Sequence, residues 1–168
     1  PPPSFHRSRV PASRESDMDR RSFGPQRRAL VDAIEAGGVR DPVTLTALRA
    51  VRRHEFVPPE FAAEAYADRS LPIGPEQTIS QPAIVAIMTE AIRPRPGLRV
   101  LEVGTGSGYQ AAILAQAGCR VHTIEYVESL ARSARERLHR LGYGAVKVRH
   151  GDGFAGWPEA APFDAILI

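Results

Sequence analysis

The sequence predicts an α/β fold: a mostly parallel sheet, with its first four strands present, preceded by helical N-terminal additions. Three observations predict it. After residue 97, short β-branched runs alternate with amphipathic stretches, and strands alternating with helices imply parallel pairing through right-handed crossovers. One such run, 99–103, leads straight into Gly104-Thr105-Gly106-Ser107-Gly108, a turn that can carry a chain from strand to helix. Before it, residues 25–94 space apolar side chains for helices, with proline and glycine where helices begin and end.

Each element follows from local pattern. Residues 1–24 are rich in Pro, Arg and Ser, lack apolar periodicity and read as a disordered or loosely attached tail. From Pro25 a helix places Leu30, Val31 and Ile34 on one face and ends at Gly37-Gly38. A second short helix covers 43–51 and breaks at Phe56-Val57-Pro58-Pro59. Residues 66–80, with two prolines and Gly74, read as an ordered loop. Pro82 opens a third helix whose expected buried stripe is Ile84, Ile87, Met88, Ala91 and Ile92, closed by Pro94, Pro96 and Gly97.

The α/β part then runs strand 99–103, glycine turn 104–108, small-residue helix 109–117, strand 120–124, amphipathic helix 127–141, strand 145–149 and strand 163–168. The long helix carries Val127, Leu130, Ala131, Ala134, Leu138 and Leu141 on one side, and Gly142 caps it. A tail (1–24) is thus followed by one domain (25–168), divided into N-terminal helices (25–94) and the α/β part (97–168). The closing run Ala165-Ile166-Leu167-Ile168 has no turn or polar residue after it, so we expect the natural polypeptide to continue.

Composition narrows the class. The chain has 168 residues, 43% hydrophobic and 24% charged, which fits a globular core and excludes a wholly disordered chain. No apolar run approaches the roughly 18 residues needed to cross a bilayer. The single cysteine, Cys119, cannot form an internal disulfide and points to a reducing, cytoplasmic setting. Residues 1–28 carry seven Arg and three acids, whereas the rest carry fifteen bases and sixteen acids, so the folded part is nearly neutral. No basic stripe with interleaved aromatics argues for nucleic acid. His54, His122, His139 and His150 lack metal-ligand spacing. Cys119 reads as a small core residue, and Phe154 and Trp157 as packing a loop onto the sheet.

The glycine turn carries the chemistry. Ligands of open α/β sheets bind at the carboxyl ends of the strands, where this turn falls. A dinucleotide and S-adenosylmethionine compete for it. The dinucleotide fingerprint wants a third glycine where Tyr109 stands. Glu102, just before the turn, repels a pyrophosphate but attracts a methionine ammonium, by about 4 kcal/mol each way at about 4 Å and an effective dielectric of about 20. The motif therefore favours S-adenosylmethionine. Glu125 ends the next strand 21 residues beyond Gly104, a spacing suited to two ribose hydroxyls. Asp152, in His150-Gly151-Asp152-Gly153, is placed to accept an adenine amino group, although Asp-Gly is also a common turn.

One block is more specific: Leu71-Pro72-Ile73-Gly74, then Gln77-Thr78-Ile79-Ser80-Gln81-Pro82, followed by residues 100–110, Gly151-Asp152-Gly153 and Ala161-Pro162-Phe163-Asp164-Ala165-Ile166. In order and spacing these resemble the protein-L-isoaspartate O-methyltransferase family, from about residue 25 to the end. The resemblance implies a Rossmann-like class I methyltransferase fold. It implies S-adenosyl-L-methionine over Gly104, Thr105 and Gly106, with Glu102 beside them, ribose on Glu125 and adenine near Asp152 and Gly153. It further implies Ser80 as the active-site hydroxyl, with Thr78 and Ile79 shaping the transfer pocket. The implied reaction is esterification of the free α-carboxyl of L-isoaspartyl residues in damaged proteins or peptides, the first step of repair. The implied enzyme is a monomer without membrane or nucleic-acid partners.

Two departures stand beside it. Glu76 replaces the second glycine of the usual Gly-x-Gly-Gln; if that position needs a positive φ, the loop is strained by about 1 kcal/mol or reshaped. The family's segment after the fourth strand is missing, so its substrate contacts are unassigned. The alternatives are a methyltransferase for RNA or a small molecule, against which the Thr78–Pro82 block argues, and a non-catalytic fragment. Ser80 competes with a capping role, but Pro82 at the first helical position makes Gln81 the cap.

Overall fold

Proline and a short acid start the N-terminal helices. The computed structural model describes residues 23–168, so the expected tail lies, but for its last two residues, outside the described residues. Helix α1 (Gly24–Ala36) turns Leu30, Val31 and Ile34 into the core. Helix α2 (Pro42–Ala50) is capped by Asp41, whose carboxylate accepts from the Thr44 N–H at 2.7 Å. Two 3₁₀ turns, Arg53–Phe56 and Pro59–Glu64, follow it.

Residues read as loop from their prolines form a hairpin instead. Strands β1 (Leu71–Gly74) and β2 (Gln77–Ile79) pair antiparallel, with an irregularity between Pro72 and Gly74. Proline cannot donate to a ladder, so the local pattern disfavours a strand. Burial of Leu71 and Ile79 in the core overrides it. The two turn residues are Pro75 and Glu76, and Glu76 takes a left-handed φ of 54°. Glycine suits that second position and an L side chain strains it. Glu76→Gly is therefore expected to stabilise the chain by about 0.5–1 kcal/mol, the left-handed penalty less the added chain entropy of glycine. The denaturant midpoint measures this, and a lowered midpoint would show that the turn holds no strain.

Helix α3 (Pro82–Ala91) begins at Pro82 behind an N-cap Gln81 that makes no side-chain cap bond. Its buried face is Pro82, Val85, Ala86 and Thr89, not the expected isoleucine stripe: Ile84 is 45% and Ile87 53% exposed. Apolar residues surround this helix, so periodicity could not choose a face. The small side chains allow close packing, and the buried Thr89 hydroxyl donates to the Val85 carbonyl and accepts from Gln110 Nε2.

The second half follows the alternating pattern closely: β3 (Arg99–Val103), α4 (Tyr109–Gln116), β4 (Arg120–Glu125), α5 (Glu128–Arg140), β5 (Lys147–His150) and β6 (Ala165–Leu167). Strand β5 starts two residues and ends one residue later than expected, and β6 is shorter than expected at both ends. The sheet order is β5-β4-β3-β6, all parallel. The chain therefore winds away from β3 in both directions, and the switch point falls beside β3. One sheet face, with Val100 and Val121, joins Ala111, Ala112 and Ile113 of α4 in the main core. On α5, Leu130, Ala131, Ala134 and Leu138 are buried as expected. Cys119 is buried as expected, and Trp157 packs edge-on against His122 on the other sheet face. Phe154, expected to pack there too, is instead 99% exposed on the 3₁₀ turn Gly153–Ala155.

Candidate functional site

The glycine turn leaves β3 at the switch point, and its geometry explains its composition. Gly104, Gly106 and Gly108 all have positive φ (94°, 52° and 89°), which L side chains resist. A Cβ on Gly108 would stand 3.2 Å from Leu138, so α5 packs directly on the turn. Arg137 of the same helix donates to the Ser107 carbonyl at 2.9 Å, a tie that the sequence did not announce.

The backbone amides of the turn are largely spoken for. Gly104 and Thr105 N–H donate to the Ile124 carbonyl at 2.8 and 3.2 Å, and Gly108 N–H to the Thr105 carbonyl at 2.8 Å. Gly106 N–H donates to Glu125 Oε2 at 2.7 Å. A phosphate-binding nest presents such amides free to its anion. Here a carboxylate already sits on one of them, which counts against a pyrophosphate.

Glu125 is 6% exposed, and its other oxygen accepts from the Val127 N–H at 2.9 Å. The expected ribose acid thus also ties the turn to the start of α5. Each carboxylate oxygen has two lone pairs, so two further hydrogen bonds can be accepted. Asp152 is exposed, and its Oδ1 accepts from the Phe154 N–H at 2.9 Å, closing the Asp-Gly turn. Gly153 lies so close to β3 that a Cβ there would overlap Val103 Cγ1. Close in sequence to the two acids, Tyr126 is 76% and Phe154 99% exposed; the sequence marked Phe154 only as a packing residue and Tyr126 not at all.

Glu102 is 3% exposed, and its Oε2 has no hydrogen-bond partner among the described residues. Burial pushes its carboxyl up to about 8, the Thr123 hydroxyl acts against this, and Glu125 adds to it. The ligand-free group is therefore largely neutral near neutral pH, unlike the charged acid assumed from sequence; a neighbouring cation would ionise it. Thr105 is buried, with its hydroxyl turned inward to Thr123 Oγ1 at 2.6 Å.

The hairpin completes the site. Ile73 Cδ1 lies 3.3 Å from where a Gly106 Cβ would stand, so β1 abuts the glycine turn. Thr78 and Ser80 are exposed on the hairpin's second arm and its exit, whereas Ile79 is buried. Capping of α3 falls to Asp68: Oδ1 accepts from the Ala83 N–H and Oδ2 from Gln81 Nε2, both at 2.9 Å. Ser80 is not the cap, as the proline position implied. Among the described residues no cluster of His, Cys, Asp and Glu could hold a metal ion, and no helix is long and apolar enough to cross a membrane.

Comparisons with known proteins point to one family. The family model described as Protein-L-isoaspartate(D-aspartate) O-methyltransferase matches residues 25–168. The chain is 57% identical over 137 residues to a protein-L-isoaspartate O-methyltransferase of Gloeobacter violaceus, covering 82% of this chain and 67% of that protein. It is 60% identical over 141 residues to one of Methylorubrum populi, covering 84% and 66% respectively. A solved protein-L-isoaspartate O-methyltransferase superposes with a TM-score of 0.75 at 31% identity, over 84% of this chain and 47% of that one. A Plasmodium falciparum structure, titled a putative protein-L-isoaspartate O-methyltransferase in complex with S-adenosyl-L-homocysteine, shares the fold with a TM-score of 0.71 at 23% identity, over 83% and 71%. The chain thus spans about two thirds of the curated relatives' length. From the switch-point glycine turn, the hairpin against it and these matches, the chain belongs to the protein-L-isoaspartate (D-aspartate) O-methyltransferase family.

Proposed function

We propose that this protein methylates the free α-carboxyl of L-isoaspartyl residues in damaged proteins and peptides, using S-adenosyl-L-methionine. The observation that carries this reading is the hairpin–turn contact: β1 packs on Gly106, so the segment bearing Thr78 and Ser80 is held beside the cofactor turn.

The residues fit that cofactor. Glu102 Oε2, buried and unpartnered, suits a methionine ammonium. Glu125 has lone pairs left for ribose hydroxyls, and Asp152 has an oxygen without a partner among the described residues for an adenine amino group. Among the described residues nothing lies within 4 Å of where a Gly104 Cβ would stand, which leaves room for a close ligand approach. When bound, the cofactor supplies an electrophilic methyl group that carries its own leaving group. The acceptor carboxylate is already ionised near neutral pH, so the site needs no strong base. The protein's task is orientation and exclusion of water, which can supply roughly 7–11 kcal/mol. Ser80 donates from its hydroxyl to one carboxylate oxygen and leaves the other to attack.

The relatives' names support the isoaspartyl substrate. We place the enzyme in the cytoplasm as a monomer. Ser80→Ala in the full-length protein is expected to lower turnover about tenfold or more, in line with loss of one hydrogen bond to a charged group, and to leave the melting temperature unchanged. The assay offers paired isoaspartyl and aspartyl peptides with labelled S-adenosylmethionine. Equal labelling of the two peptides overturns the substrate assignment, and unchanged turnover removes Ser80 from the mechanism.

A further inference from the structure

The glycine turn is held from two sides. Its first amides rest on β4: Gly104 and Thr105 N–H on the Ile124 carbonyl, and Gly106 N–H on the carboxylate of Glu125, which ends that strand. The last peptide unit, between Ser107 and Gly108, is held differently. Its N–H donates back to the Thr105 carbonyl at 2.8 Å. Its carbonyl accepts from Arg137 Nη1 of α5 at 2.9 Å. Gly108 sits at a φ of 89°, and glycine takes positive and negative φ about equally. Sterics therefore leave the plane of this peptide open, and its hydrogen bonds decide it. A charged donor makes the stronger of such bonds. Arg137 is in reach because Leu138 and Ala134 pack on Gly108, 3.2 and 3.6 Å from where its Cβ would stand, and Arg137 itself is half-buried. The other arginines of α5 are placed elsewhere: Arg135 donates to the Val148 carbonyl, Arg140 pairs with Glu55 at 3.1 Å, and Arg132 is exposed.

We propose that Arg137 is a positioning residue for the cofactor: by locking the Ser107–Gly108 peptide it holds the turn in the shape that S-adenosylmethionine meets, and so sets the affinity for it. This deepens the reading of the site as an S-adenosylmethionine pocket and rests on it. The charge of the arginine acts in the opposite direction. S-adenosylmethionine carries a sulfonium and an ammonium against one carboxylate, so its net charge is positive. Removing a nearby cation would by Coulomb's law alone tighten its binding. Weaker binding after loss of Arg137 therefore reports the shape of the turn and not the charge.

The test uses Arg137→Met and Arg137→Lys in the full chain, with S-adenosylmethionine as the probe. Methionine keeps most of the stem and loses the donor, and calorimetry is expected to show binding weakened about tenfold, the size of one hydrogen bond from a charged group. Lysine keeps a charged donor and restores most of the affinity. Arg132→Met, an equal charge change on the exposed side of the same helix, leaves affinity within about twofold, because solvent and salt screen it. Hydrogen exchange in ligand-free protein reads the lock without any ligand. In Arg137→Met the Gly108 N–H is expected to exchange about tenfold faster relative to the Ile113 and Leu114 amides further along α4. A purely structural role would speed all three amides together; Arg137→Gln serves if the methionine variant folds poorly. Unchanged affinity, or Gly108 exchange that keeps pace with Ile113 and Leu114, overturns the proposal. Failure of the unsubstituted chain to bind S-adenosylmethionine at any concentration overturns the cofactor reading and the proposal together, whereas normal binding that Arg137→Met leaves unaltered overturns the proposal alone.

Discussion

Glu125→Ala is expected to weaken S-adenosylmethionine binding by about 10²–10⁴-fold, from two lost hydrogen bonds between ribose and a charged carboxylate. It is also expected to destabilise the ligand-free chain. Both carboxylate oxygens accept from backbone amides, Gly106 N–H at 2.7 Å and Val127 N–H at 2.9 Å, at a residue only 6% exposed. Truncation leaves both donors without their partner, at about 1–3 kcal/mol each if water cannot reach them. Glu125→Gln keeps one acceptor oxygen and should lose roughly half of each effect. Calorimetry measures the first loss and urea denaturation the second. Unchanged affinity would remove Glu125 from the ribose site; unchanged stability would show that its grip on the turn is immaterial.

The second expectation concerns pH. The Glu102 carboxyl is raised from its ordinary 4.5 to about 8 in the fold, chiefly by burial. A group raised on folding binds more protons in the folded than in the unfolded state between those two values. Its contribution to stability is therefore fully present below the lower value and is lost as pH rises through the upper one, at about 1.4 kcal/mol per pH unit at most. Ligand-free protein should become steadily less stable across the neutral range. Glu102→Gln, which cannot ionise, should flatten that slope while abolishing attraction for the methionine ammonium. Thermal melts at a series of pH values, with and without S-adenosylmethionine, measure both. A slope unaltered by the substitution would mean that some other group titrates.

Both expectations rest on acids that the sequence singled out for a different reason. Spacing from the glycine turn marked Glu102 and Glu125 as ligand contacts. It could not show that Glu125 is at once a backbone latch, or that Glu102 is neutral without a cation. Those properties depend on which amides and which dielectric surround a carboxyl, and β4 and α5 supply the surroundings from elsewhere in the chain. Thr123 went unnoticed for the same reason: in sequence it is one more β-branched residue of a strand, and only the tertiary structure sets it opposite Glu102 in register and brings its hydroxyl to Thr105. Its one available signal was a hydroxyl at a position that alternation with Val121 turns inward.

The amino-acid sequence by itself determined the alternating elements from Arg99 onward, the parallel sheet, the glycine turn and Pro82 as a helix start, because each follows from interactions a few residues long: pleat alternation, helical periodicity, glycine's freedom at positive φ and proline's missing donor. The tertiary structure alone decided the hairpin at 71–79, the face that α3 buries, the exposure of Phe154 and the ionisation of Glu102. These are choices between locally similar alternatives, and they are settled by what packs against them across the core, where burial outweighs a weak local preference.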